Sequence, residues 1–455
     1  MSDVEALMWN LEKDPHLSST FANVTILDRT PDVDRLRSRM ERALVGVPRL
    51  RQRVIPAFGR LAPPRWHDER EVDLDWHVRR IGLAAPHDER ALFDEAARLA
   101  AEPFDRTRPL WRFTVIDGLS GGRAALVQQM HHTITDGEGG VRMSIEFLDL
   151  ERDAPEPPPL PGPGEPIDPS GTGFAATLAA SVGHVARRNL GMARRAAEGA
   201  AGFATHPDRL ASLAGDVSDS FGSALRQLAV QDPARSPLWT NRTLKRRLEV
   251  LRIPLDDAKR ASKALGGSIN DLFVAAVAGG AGQYHRDRGV DLDELRMAMP
   301  ISTRVKGDKA TANAFTPTRT LVPVGEEPEL RFRAIRERLQ TTKGEKAVQL
   351  ASSVAGLVNL LPTSVVIRFS RSQVETVDFT TSNVRGANFD LYIAGARIEA
   401  NYPLGPIAGT AFNATTLSVA GSLDVGVHCD AGAVEDPAAL RDAIQQSVDE
   451  LLAFG

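Results

Sequence analysis

The chain has 455 residues, beyond the length at which a single core keeps growing, so two domains are expected. Its 42% hydrophobic and 25% charged content is that of an ordinary soluble globular protein, and a net charge of -4 gives no general attraction to nucleic acid. Cys429 is the only cysteine, which excludes an internal disulfide and a cysteine-based zinc site and fits a reducing compartment.

The amino terminus starts acidic, Met1-Ser2-Asp3-Val4-Glu5, and lacks the basic and apolar regions of a secretory signal, so a cytoplasmic location is expected. Residues 1–152 mix helical and strand patterns: 36–45 is helix-like, 112–116 and 124–129 read as buried strands, and 140–150 suggests a helix. The prolines of 154–163 cannot supply helix or ladder donors and favour a stiff linker, which places a boundary there. Residues 153–240 then read as linker and helical crossover. Phe174, Leu178, Val182 and Val185 form one helical stripe, and Arg187, Arg188, Arg194 and Arg195 lie on another. That basic amphipathic segment suits either an anionic membrane surface or packing on a domain.

A second α/β region is expected over 241–455. Strands are predicted at 244–253 and 295–300, helices at 255–265, 270–286, 328–342 and 436–454, and a hairpin around Gly421 within 416–427. No uninterrupted apolar window approaches the roughly 18 to 20 residues of a membrane span, the nearest being 272–282 and 354–366.

Met130-His131-His132-Thr133-Ile134-Thr135-Asp136-Gly137, directly after the strand-like 124–127, carries the clearest chemistry. A histidine at a strand end can present a ring nitrogen to substrate, with a carboxylate four residues on folding back to fix its ring and charge. Gly137 is expected to supply a backbone angle that only glycine adopts cheaply where the chain leaves the strand. His132 is the expected general base, because the spacing to Asp136 belongs to it, with His131 supporting. No HExxH or Cys/His set is present, so no metal is expected, and no GxSxG elbow points to a serine hydrolase.

HHxxxDG resembles the active-site signature of the CoA-dependent acyltransferase superfamily typified by chloramphenicol acetyltransferase. Further motifs, in order, resemble the bacterial wax ester synthase/diacylglycerol acyltransferase family: Asp3 to Trp9, Pro109-Leu110-Trp111, Ser268-Ile269-Asn270-Asp271, Pro300-Ile301-Ser302-Thr303-Arg304, and Ser382-Asn383-Val384 with Tyr402-Pro403 and Gly405-Pro406, continuing to Asp424-Val425-Gly426. Two departures stand out: Arg385 where the family usually has proline, and Ala312 before Asn313 in place of glycine.

The resemblance implies an α/β fold, an α+β sandwich of two chloramphenicol-acetyltransferase-like domains with the active site in a tunnel at their interface. It implies transfer of a long-chain acyl group from acyl-CoA to diacylglycerol or a long-chain alcohol, with acyl-CoA as co-substrate and no cofactor. Arg304 is implied as the ion-pair partner of Asp136, and Ser382 as the oxyanion donor beside a strand at 377–381. Asn270, Asp271, Asn383 and Arg385 are expected to bind substrate. Ser268 with Asp271 also makes a good helix start. The apolar segments at 270–282 and 352–361 are expected to line the acyl tunnel, and the same kind of surface would suit lipid droplets or the inner membrane face. Two alternatives remain: a carrier-protein-dependent condensation or polyketide-associated acyltransferase, and a non-catalytic acyl-lipid-binding droplet protein.

Overall fold

Local capping signals set the helix starts of the N-terminal half. Ser2 and Glu5 form a reciprocal capping box on α1 (Asp3–Leu11). Asp32, Asp73 and Asp88 accept backbone N–H groups at the starts of α2 (Val33–Gly46), α3 (Leu74–His77) and α4 (Glu89–Ala101). The strands between them are β1 (Thr20–Leu27), β2 (Gln52–Ile55), β3 (Arg65–Asp68), β4 (Val78–Gly82), β5 (Trp111–Leu119) and β6 (Arg123–His131), and α5 (Gly137–Ser144) follows the histidine motif. The computed structural model describes residues 1–57, 62–157, 232–302, 315–325, 327–344 and 362–455. The amphipathic 173–230 segment, Arg304, Ala312, Asn313 and the apolar 352–361 stretch lie outside the described residues.

The C-terminal half begins with β7 (Arg246–Pro254), α6 (Leu255–Ala264) and α7 (Ile269–Arg286), then β8 (Glu294–Ser302), β9 (Phe315–Pro323), α8 (Pro328–Gly344) and α9 (Thr363–Val374). It ends with β10 (Phe379–Val384), β11 (Tyr392–Ile393), β12 (Ala396–Leu404), β13 (Phe412–Val419), β14 (Ser422–Asp430) and α10 (Pro437–Leu452). The β13–β14 hairpin turns on Ala420 and Gly421, with φ of 40° and 87°, the two left-handed positions of a tight hairpin.

Twelve of these strands build two six-stranded sheets, ordered β11-β12-β1-β6-β5-β4 and β7-β14-β13-β10-β8-β9, and β2 and β3 pair in a two-stranded sheet. The sheets do not divide the chain cleanly. β12, from the C-terminal half, pairs antiparallel with β1 and joins the first sheet, with Ala22 opposite Leu404. β12 also lies on the second sheet: a Cβ on Gly426 of β14 would stand 1.9 Å from the Pro403 carbonyl oxygen, the Asp424 carboxylate accepts the Asn401 N–H at 2.7 Å, and Arg252 donates to the Glu399 carbonyl at 2.7 Å. One strand thus stitches the two sheets together, and the face of β13 and β14 that meets it is the seam of the molecule.

Two expected elements differ. The helix after the motif begins at Gly137 rather than 140, because Asp136 caps it. It ends at Ser144 rather than 150, because Asp149 exchanges backbone hydrogen bonds of 2.9 Å with Tyr392. The apolar run at 270–282, expected to line an acyl tunnel, is instead the central helix of the larger core. Leu272 to Ala278 and Ala281 are buried in it, and glycines admit α10 so closely that a Cβ on Gly280 would stand 2.5 Å from the Ile444 backbone. An all-round apolar helix is what such a core element looks like.

Two histidines in this scaffold are structural and neutral. His77 donates through Nδ1 to the Trp111 carbonyl at 2.7 Å and stacks on that indole, and His428 donates to the Gly405 carbonyl at 2.9 Å. Burial pushes each imidazole down to about 4. The unfolded chain therefore takes up these protons first, so their stability contribution is complete above about pH 6.5 and is lost as pH falls towards 4. Thermal melts across that window are expected to show a falling melting temperature, with a shallower slope in a His77→Gln, His428→Gln variant. An equal slope in the variant would contradict this.

Candidate active site

β6 ends at His131 and His132 opens the turn that follows, so the two rings meet different neighbours. His131 is buried. The Thr133 N–H donates to its Nδ1 at 3.1 Å, and its Nε2 lies 3.0 Å from Glu12 Oε2. His132 keeps part of its surface, its ring packs on Phe21 with centroids 4.6 Å apart, and its N–H donates to the Ser19 carbonyl at 3.1 Å. Burial pushes the His132 imidazole down to about 4, and His131 beside it acts in the same direction. The Thr135 main chain and the charges of Asp136 and Glu12 pull the other way. At neutral pH the ring is the free base, as proton abstraction requires.

Asp136 caps α5, its Oδ1 accepting the Gly139 N–H at 2.7 Å. The carboxylate thus orders the turn leaving the strand, and its charge favours a proton on His132. Gly137 corrects one expectation. Its φ is not positive; what demands glycine is the approach of β10, since a Cβ there would stand 2.9 Å from Val384 Cγ2. The motif's glycine is one of the points where the first half of the chain touches the second.

The structure brings several sequence-selected residues to this contact. Val384 ends β10, and Ser382, two residues earlier, faces the same side, towards the motif. Asn383 faces the other way, and its amide donates to Asn270 Oδ1 at 3.4 Å at the start of α7. Asp271 serves the helix start: its Oδ2 accepts from the Ser268 N–H at 2.9 Å and the Ser268 hydroxyl at 2.8 Å. Arg385 follows β10 as an exposed side chain.

Sequence reasoning missed Glu12, Thr133 and Phe21. Glu12 is 119 residues from the histidine it meets, and no spacing announces such a pair. The helical pattern ending at residue 11 offered the one usable signal, an acidic side chain where the chain turns into β1.

An uncharged imidazole just past a strand end, where the two halves of the chain meet, is compatible with the acyl transfer expected from the HHxxxDG motif. Comparison with known proteins narrows it. Residues 1–273 match the wax ester synthase/diacylglycerol acyltransferase catalytic domain, and 313–452 match the C-terminal domain of that family. A Mycobacterium tuberculosis protein named putative diacylglycerol O-acyltransferase is 35% identical over 100% of this chain and 92% of its own. Among solved structures, the wax ester synthase/diacylglycerol acyltransferase of Marinobacter aquaeolei VT8 superposes with a TM-score of 0.64 at 20% identity, covering 98% of this chain and 97% of that one. The first condensation domain of the calcium-dependent antibiotic synthetase reaches 0.60 at 15% identity over 100% and 96% of the two chains, a likeness of fold alone. The chain belongs to the wax ester synthase/diacylglycerol acyltransferase family, and it is an acyltransferase of two-domain, chloramphenicol-acetyltransferase-like fold.

Proposed function

We propose that this enzyme transfers a long-chain acyl group from acyl-CoA to the hydroxyl of diacylglycerol or a long-chain alcohol, with His132 as general base. The observation that carries the reading is a neutral, partly accessible imidazole held at the seam between the sheets. As the acceptor oxygen attacks the thioester carbonyl, His132 takes its proton. Ser382, facing the motif, donates its hydroxyl to the oxyanion of the tetrahedral intermediate. Collapse breaks the carbon–sulfur bond, and the departing thiolate recovers the proton from His132. Acyl-CoA is a co-substrate, and the scheme needs neither a covalent acyl-enzyme nor a cofactor. Diacylglycerol is favoured as acceptor by the names of the relatives.

Among the described residues no single helix is long and apolar enough to cross a membrane. Access to lipid acceptors is proposed to be by peripheral contact with the inner membrane face or lipid droplets. The acceptor assignment is tested by offering diacylglycerol, hexadecanol, a short alcohol and an amine with palmitoyl-CoA and identifying the products. Ester from a lipid alcohol supports it, and amide formation alone would contradict it.

Arg385, exposed beside the Val384–Gly137 contact, is proposed to meet the CoA phosphates. Arg385→Pro is expected to raise the apparent KM for acyl-CoA roughly three- to tenfold and to weaken its salt dependence, leaving acceptor preference intact. An unchanged KM with an altered diacylglycerol-to-hexadecanol ratio would place the side chain at the acceptor entrance instead.

A further inference from the structure

Glu12 sits where α1 gives way to β1, and its carboxylate gathers donors from both flanks of the base. Oε2 accepts the Ser19 N–H at 2.8 Å and faces His131 Nε2 at 3.0 Å, while Oε1 accepts the Ser18 hydroxyl at 2.6 Å. The other face of the His131 ring settles its tautomer. A backbone N–H can only donate, so the Thr133 N–H at 3.1 Å makes Nδ1 an acceptor and leaves the ring proton on Nε2, pointing at Glu12. The Thr133 hydroxyl, 2.8 Å from the same Nδ1, completes the clamp.

The Ser19 peptide extends this hold to the base itself. Its N–H is bound by Glu12 while its carbonyl receives the His132 N–H at 3.1 Å. One carboxylate therefore fixes the side chain of the residue before the base and the peptide hydrogen-bonded to the base. We propose that Glu12 is a positioning residue of the reaction, holding the end of β6 so that the His132 ring is presented at a fixed angle to the acceptor hydroxyl. The proposal rests on His132 being the base.

The carboxylate stays ionised in this role. Burial alone would raise its pKa, but the hydrogen bonds from His131, Ser18 and Ser19 together outweigh it and hold the group below the ordinary glutamate range. Among the described residues Glu12 bonds to Ser18, Ser19, Thr20 and His131, and its proposed effect on the reaction runs through His132. Its loss is therefore expected to weaken the chemical step and to leave substrate binding alone.

Glu12→Gln tests this in the full-length enzyme, because it keeps the shape but turns an N–H group towards donors that need an acceptor. Steady-state kinetics with palmitoyl-CoA and a lipid alcohol should show kcat lowered about 10- to 100-fold, the scale of a small misplacement of a reacting group, with both KM values within about twofold of wild type. His131→Gln should lose a similar factor, and the double variant should be no worse than the weaker single one, since both act through one contact. If Glu12→Gln does not fold, Glu12→Asp, which withdraws the charge by one methylene, is read in the same way. A kcat within about threefold of wild type would overturn the proposal, and so would losses that multiply in the double variant with rising KM. Activity retained by His132→Ala would instead remove the base assignment itself, whatever Glu12→Gln does.

Discussion

His132→Ala is expected to lower kcat about 10²- to 10⁴-fold, the span that positioned proton transfer usually contributes, without unfolding the protein. The ring is partly accessible, so its removal leaves no sealed cavity. Its ring packs on Phe21, a residue held independently by the β1–β6 ladder opposite Met130. His131→Ala should behave differently in kind: it removes a buried ring bound to Glu12 and Thr133, so stability falls along with rate. A His132→Ala enzyme that melts like wild type and keeps activity within a few-fold would refute the base assignment.

Gly426→Ala is expected to be the most damaging small substitution in the described residues for stability. The added methyl would lie 1.9 Å from the Pro403 carbonyl oxygen, and that obstacle is backbone, held by the β12–β1 ladder on its other side. Overpacking typically costs about 1 to 3 kcal/mol, and here no side chain can rotate away, so a loss at or above the upper end is expected. Chemical denaturation would measure it. The deformation falls on the strand that stitches the sheets, so activity should decline even where the variant remains folded. A stability within about 0.5 kcal/mol of wild type would show that β12 can shift freely, against this account of the seam.

The sequence exposes what depends on neighbours in the chain. The β13–β14 hairpin is legible because apolar alternation brackets Ala420-Gly421, and α7 because Ser268 and Asp271 announce its start. The purpose of α7 is not legible in the same way: a helix apolar on all sides looks alike whether it faces a fatty acyl chain or Ile444 and Ser447 of α10. Gly137 was selected for a backbone angle, yet its reason is Val384, nearly 250 residues away, and Asp424-Val425-Gly426 was seen as a motif without the carbonyl that requires its glycine. Nothing in the composition of 396–404 tells that it leaves its own half to pair with β1. For the same reason Glu12 was invisible, since its meeting with His131 exists only once α1 has folded back over the end of β6.

The central claim, acyl transfer from acyl-CoA to a lipid hydroxyl at His132, is tested most directly by following free thiol and ester product together. Purified enzyme is given palmitoyl-CoA with and without diacylglycerol or hexadecanol, beside a His132→Ala control. The account predicts CoA release that depends on the acceptor, matches ester formation one for one, and disappears in the control. Thiol release that proceeds equally without acceptor and yields free fatty acid, or ester formation undiminished in the control, would contradict it.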